Sequence, residues 1–474
     1  ALALDPALLL IYSGHHGLWS NISPTTCLNL MSNQAAEPGK IPGRPHRIGS
    51  LFPALCGIWL GLALLKFGNP VLLAYKVETP RSYLQFLIDP WPIAWGYVVV
   101  AVVAAAGLLL WRLPQHEPRW LLALPAAWFV VQLLASFGSV DATFTSRTLL
   151  HFASVTIAFY VGLCAFSSVG DLRWFWAAFL GAFCLVLMVG FYQHFIGLED
   201  TRRFFFAYEL PKYPNGPPPE LLKKLASNRI YSALFYPNTL AAALILGTPL
   251  LIAQIPLVRA TRPAKTVLLL LASAACLLCL YWSGSKAGWL IGLLMIVFAL
   301  ARPSVSLRLK VFVVTLLCLA GVLGFFWRYS SYIERGATSA GARLDYWRAA
   351  VKAFSERPLL GSGPGTFMAS YRRLKPAEAE MSRLAHNDYL QQASDSGMLG
   401  FISFSAFIAT SLWVLYRRSS PDPVRFAVWL SLLGLSLHSL VEFNLYVPAI
   451  AWPQFFLFGF LWRNGAITST KQDQ

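Results

Sequence analysis

The sequence predicts an all-α, polytopic membrane protein with about twelve transmembrane helices and one large helical loop on the outer face. Three observations predict this fold. Of 474 residues, 57% are hydrophobic and 12% charged, about half the charged fraction of a soluble chain. Mean hydropathy is +0.56. The apolar residues come in blocks of ~20, long enough to cross a bilayer as helices whose backbones satisfy their own hydrogen bonds. The ~10-residue alternating segments of an outer-membrane barrel are not found in the sequence.

Residues 1–50 read as a cytoplasmic N-terminal segment. The chain begins with Ala1. Met31, followed by a polar stretch with Lys40, Arg44 and Arg47, reads as the natural start, and 1–30 as upstream sequence or a short interfacial segment. Transmembrane helices one to nine fill 51–327, with spans near 51–74, 91–111, 119–136, 148–167, 173–196, 238–255, 265–282, 285–301 and 309–327. Lys66 and Pro70 interrupt the first span, and Lys66 is expected to snorkel toward an interface. Helices ten to twelve fill 397–462, near 397–416, 424–441 and 447–462, and 463–474 is a tail.

Basic residues in the short loops set the orientation. One set of loops carries Arg112, Arg119, Arg173, Arg259, Arg262, Lys265, Arg302, Arg308, Lys310, Arg417, Arg418 and Arg425 against three acids. The alternate set carries only Lys76, Arg81, Arg147 and Lys286 against four. Both termini are therefore expected in the cytoplasm. The net charge of +17 is largely this topology signal and gives no reason to expect nucleic-acid binding. Six of seven cysteines lie inside the spans, and the Cys276/Cys279 pair reads as small packing residues in a helix.

Two loops on the outer face are long, 197–237 and 328–396. Long loops in compact proteins are often functional. The second has helical periodicity and reads as folded. In its first half Arg343, Tyr346, Trp347 and Ala350 share one helical face, so aromatics hold an arginine fork that can meet an anion, while Arg348 points to solvent. Gly361, Gly363 and Gly365 expose N–H groups to a phosphate or, alternatively, make a turn that needs positive φ. In the second half, His386, Tyr389, Leu390 and Ala393 are expected on one helical face. Such a histidine is either a packed, hydrogen-bonded residue or a base able to take a proton from a sugar hydroxyl. Lys286, in a Ser-Gly-Ser-Lys turn, and Arg229 each either snorkel to headgroups or contact an anion above the lipid. His438 and Glu442, four apart, read mainly as a buried polar pair.

These residues carry a resemblance to the O-antigen ligase and polymerase superfamily. It rests on His386-Asn387-Asp388-Tyr389-Leu390-Gln391, on Arg343-Leu344-Asp345-Tyr346-Trp347 with Pro358-Leu359-Leu360-Gly361, on Tyr236-Pro237-Asn238, on the Ser-Gly-Ser-Lys turn and on His438-Ser439-Leu440-Val441-Glu442. The resemblance implies a glycosyltransferase of the bacterial inner membrane. It moves a glycan from undecaprenyl diphosphate to an acceptor hydroxyl, in ligases a lipid A–core sugar, on the periplasmic face. It implies that His386 and Arg343 are catalytic, that Lys286, Arg343 and Arg229 bind the diphosphate, and that Asn387, Asp388, Tyr389, Glu442 and His438 support them. Lys286 departs from the family's arginine and lacks its bidentate fork. No Asp-x-Asp triplet or P-loop occurs, so no metal and no cofactor is expected, and with the resemblance the expected chemistry is an inverting displacement. A polysaccharide polymerase and a protein O-oligosaccharyltransferase share this chemistry. A transporter or flippase is the rival from another class, but it would carry polar groups at mid-membrane in repeated halves.

Overall fold

The computed structural model describes residues 47–462 apart from 115–117, 167–170, 214–215, 218–220, 223–224, 302–305, 309–310, 313–314, 316–337, 378 and 420–421. The expected start at Met31, most of the ninth span and the tail lie outside the described residues.

Among the described residues all regular structure is helical. We number the main helices α1 (Arg47–Lys66), α2 (Ile93–Leu108), α3 (Arg119–Ser136), α4 (Ala142–Tyr160), α5 (Arg173–Tyr192), α6 (Pro237–Gln254), α7 (Arg262–Ser283), α8 (Lys286–Leu300), α9 (Thr338–Glu356), α10 (Phe367–Leu374), α11 (Asp388–Ser419), α12 (Pro423–His438) and α13 (Pro448–Trp462). Six helical stretches among the described residues are long and apolar enough to cross a membrane: Arg119–Ser136, Ala142–Ala165, Arg173–Lys212, Pro237–Leu257, Arg262–Ser283 and Asp388–Ser419. Five shorter apolar helices accompany them, at Leu51–Lys66, Ile93–Leu108, Lys286–Leu300, Pro423–His438 and Pro448–Trp462. Leu270, Leu271 and Leu290 leave more than half their surface uncovered on α7 and α8, as side chains that face lipid would. The protein is a multi-pass membrane protein.

The first span ends earlier than expected, at Lys66. Lys66 does not snorkel. It is buried, and its ammonium donates to the carbonyls of Phe86 (3.2 Å), Leu87 (2.6 Å) and Asp89 (3.0 Å). Three carbonyls at a helix end satisfy the three donors of a lysine more cheaply than a reach to water.

Every residue of α13 is buried. It crosses the α4 segment at two glycines. A Cβ on Gly162 would lie 2.1 Å from the Phe456 carbonyl oxygen, and one on Gly459 2.0 Å from that of Phe159. Without side chains at these points the two backbones approach closely, the usual solution inside lipid. Cys276 and Cys279 are buried in α7 as packing residues.

Connecting segments gather at two ends. At one, Arg112 N–H meets Cys164 O, and Arg425 donates to Leu461 O at 2.6 Å. At the other, Arg357 donates to Gly138 O at 2.9 Å, Val140 N–H to Ser362 O, Arg229 to Ser283 O at 2.7 Å, and Asn238 to Glu442. The folded segment α9–α10 belongs to this second, polar end.

Candidate active site

α9 forms as its pattern predicts. Tyr346 and Ala350 are buried, Arg343 and Trp347 half-buried, and Arg348 is exposed beside Asp345. Tyr346 packs edge-on against Tyr371 of α10. This small aromatic cluster fixes the direction of Arg343. Its Nε donates to Val441 O at 3.1 Å, and its Nη2 makes a short ion-pair hydrogen bond with Glu442 Oε1.

His386 departs from expectation. It lies in no helix: its φ is +51°, and α11 starts only at Asp388. Asn387 turns the chain, accepting the Leu390 N–H on its side-chain oxygen at 3.0 Å, as helix-capping residues do. The left-handed turn lays the imidazole between two rings, stacked on Tyr346 at 5.5 Å and edge-on to Phe443 at 4.7 Å. The run that follows is stapled to the chain after α12. Asp388 N–H donates to Ser439 O (2.8 Å), Asp388 Oδ2 accepts from Leu445 N–H (3.0 Å), and Tyr389 OH donates to Ser436 O (3.0 Å).

Glu442 is the meeting point. Its Oε2 is 3.1 Å from His386 Nδ1, and its Oε1 accepts from Arg343 and, at 2.5 Å, from Asn238 Nδ2. Burial alone would raise its carboxyl, but His386, Arg343 and His438 together hold it well below the ordinary carboxylate range. A carboxylate only accepts, so His386 Nδ1 is the donor, and whenever the ring is neutral its lone pair sits on Nε2. His438 and Glu442 are both buried, as expected of a polar pair, and His438 is among the groups that hold Glu442 low, but their hydrogen bonds go elsewhere. α12 ends at His438, whose Nδ1 faces Asn444 Oδ1 at 3.1 Å, while Glu442 lies beyond the helix and turns to His386.

Arg229 is exposed and bridges the end of α7 and the start of α6, donating to Ser283 O and, at 2.8 Å, to Asn238 Oδ1. Lys286 is exposed at the first position of α8, where Ser285 caps the helix by accepting Gly288 N–H. Arg229 thus reaches Glu442 through Asn238, with Lys286 three residues from its other contact.

The glycine turn does not cradle an anion. Gly361, Gly363 and Gly365 have φ of +66°, +108° and +78°. Gly363 N–H goes to Asp395 O and Gly365 N–H to Asp395 Oδ2, both at 2.8 Å. Asp395 also accepts from Gln391 Nε2 (2.8 Å) and Tyr446 OH (3.1 Å). This buried clamp, invisible to the sequence pattern, docks the polar segment onto the helices. Among the described residues no three His, Cys, Asp or Glu side chains group to hold a metal ion.

Residues 271–405 match the family model described as O-antigen ligase. The match runs from α7 through Lys286, Arg343 and His386 into α11, so the superfamily resemblance holds over this stretch and supports a membrane glycosyltransferase of the ligase and polymerase type. Arg229, Asn238 and Glu442 lie outside it. The chain is also similar to an uncharacterized protein of Haemophilus influenzae, 26% identical over 161 residues, 29% of this chain. The chain spans 40% of that protein's length.

Proposed function

We propose that the protein transfers a glycan from undecaprenyl diphosphate to an acceptor hydroxyl, as an O-antigen ligase does with a lipid A–core sugar, at the periplasmic face of the bacterial inner membrane. The observation that carries this is the Glu442 carboxylate on His386 Nδ1. It fixes the tautomer that leaves Nε2 basic and stabilises the imidazolium once a proton arrives. His386 Nε2 takes the acceptor hydroxyl proton. The oxygen attacks the anomeric carbon with inversion, the bond from that carbon to the diphosphate oxygen breaks, and undecaprenyl diphosphate leaves with the electron pair. Arg343 and, through Asn238, Arg229 hold Glu442 in place. Arg343, Arg229 and Lys286 supply the cations that meet the charge developing on the departing diphosphate. Asn387, Asp388 and Tyr389 set the turn that presents His386.

In the same proposal 328–396 is the periplasmic catalytic segment, about twelve spans carry it, and both termini are cytoplasmic. The basic loop residues support that orientation.

The test is transfer in detergent from a defined undecaprenyl-diphosphate glycan. Wild type should yield product, and His386→Ala should yield none while keeping expression and thermal melting. Full activity in His386→Ala would overturn the mechanism. Offering a core oligosaccharide and a second repeat unit as rival acceptors separates ligase from polymerase.

A further inference from the structure

A second group of cations lies close to His386. Tyr75, in the 3-10 turn Val71–Lys76, leaves half its surface open. Arg147 of α4 places its guanidinium carbon 5.5 Å from the Tyr75 ring centre, and Arg383 places its own at 5.6 Å. Arg383 also donates to the Tyr75 hydroxyl at 2.9 Å. Three separate chain segments thus bring two guanidinium groups to one ring.

Neither arginine makes an ion pair with a carboxylate among the described residues. This separates them from Arg343, whose charge Glu442 balances. Like charges gathered on one ring repel, and the ring face repays only part of that. The loop that carries Arg383 is stiff. Leu384 and Ala385 are buried, Ser382 Oγ donates to Leu384 O at 2.7 Å, and Ala385 N–H donates to Gln391 at 2.6 Å. The cation is therefore held ready before any ligand arrives. It also lies near the reaction centre. Arg383 is three residues before His386 and close enough to Tyr236 to oppose the burial that raises that hydroxyl. The Tyr236 ring meets Phe443 at 5.9 Å, and Phe443 meets His386.

We infer that Arg147, Arg383 and Tyr75 form a second anion subsite, which binds a phosphate-ester group of a glycan substrate beside His386. Guanidinium forks match phosphate oxygens in pairs, and the half-exposed ring gathers the two of them at one place on the surface. The inference rests on the glycosyl-transfer proposal for its substrate. The phosphate can come from two sources, the lipid diphosphate of the donor or a phosphorylated sugar of the acceptor.

Equilibrium binding to the full chain in detergent tests it without needing turnover. The probes are undecaprenyl diphosphate, glucose 6-phosphate and, as a phosphate-free control, undecaprenol. In Arg147→Gln/Arg383→Gln, one phosphorylated probe should bind about tenfold more weakly or worse, roughly the cost of one charge-assisted hydrogen bond. Undecaprenol should bind as to wild type, and Arg147→Lys/Arg383→Lys should recover part of the loss. A loss confined to undecaprenyl diphosphate assigns the donor, and one confined to glucose 6-phosphate the acceptor. Unchanged binding of both, or an equal loss of undecaprenol, overturns the subsite. The two proposals fail separately: transfer by His386→Ala would sink the mechanism while leaving the subsite standing, and unchanged probe binding by Arg147→Gln/Arg383→Gln would sink the subsite while leaving the mechanism standing.

Discussion

Two arginine–carboxylate pairs brace the polar end of the protein, and they differ in almost everything but their chemistry. Arg373 and Glu356 join α10 to the last turn of α9 at the surface, with side chains 59% and 36% exposed. Arg343 and Glu442 join α9 to the chain after α12, and the carboxylate is 4% exposed. Water competes for the first pair and screens it, so it contributes little. In the second the carboxylate is closed to water and shared with His386 and Asn238, so its loss strands the others. An ion pair at this end matters by what it encloses.

The largest effect should therefore follow Glu442→Ala. Arg343 and the His386 Nδ1 donor then lose their acceptor in a buried site, at a cost of about 3–5 kcal/mol. Denaturant unfolding in detergent measures it, and a loss no greater than that of Glu356→Ala would erase the contrast. The pH dependence sharpens the same point. Glu442 is depressed in the folded protein, so its contribution is full above the ordinary carboxylate range and fades only as pH falls through the lowered folded value. The stability gap between wild type and Glu442→Gln should not close between about pH 8 and 5 and should narrow only in stronger acid. A gap already closing at pH 6 would contradict a charged, paired Glu442.

A smaller effect is expected at the glycine turn. In Gly365→Ala the new Cβ would lie 2.1 Å from Thr148 Oγ1, at a φ of +78°. Backbone strain of this kind costs about 1–3 kcal/mol, and the clash adds to it. Limited proteolysis should cut the 357–387 stretch sooner than in wild type. Equal protection would mean that the Asp395 clamp does not hold the segment down. The smallest effect belongs to Arg373→Ala, whose melting curve should overlay that of wild type.

What the sequence made legible follows range. Lipid imposes its length rule on each helix separately, so apolar blocks reveal the spans without knowledge of their neighbours. The Arg343 face was legible for the same reason, being periodic within one helix. His386 was misread as helical because its periodicity with Tyr389 and Leu390 continues across a helix start. Asn387 held the overlooked signal, since a capping residue there puts His386 outside the helix. Spacing matched Glu442 to His438, which does act on its charge, but its hydrogen-bond partners Asn238, Arg343 and His386 lie on other segments. The meeting of Tyr75, Arg147 and Arg383 leaves no trace in local spacing either.

The enclosure of α13 has a consequence for biosynthesis. This helix follows the other twelve in the chain, so it leaves the ribosome after the helices that surround it. They must enter the bilayer with a slot still open along α4, or part again to admit it. Through Ala449 N–H on Phe67 O, and Trp452 on Ser154 at 2.8 Å, α13 then ties together helices made much earlier. Among the described helices α13 is thus a late keystone, and a chain stopped before Pro448 would present an unfilled seam to the membrane.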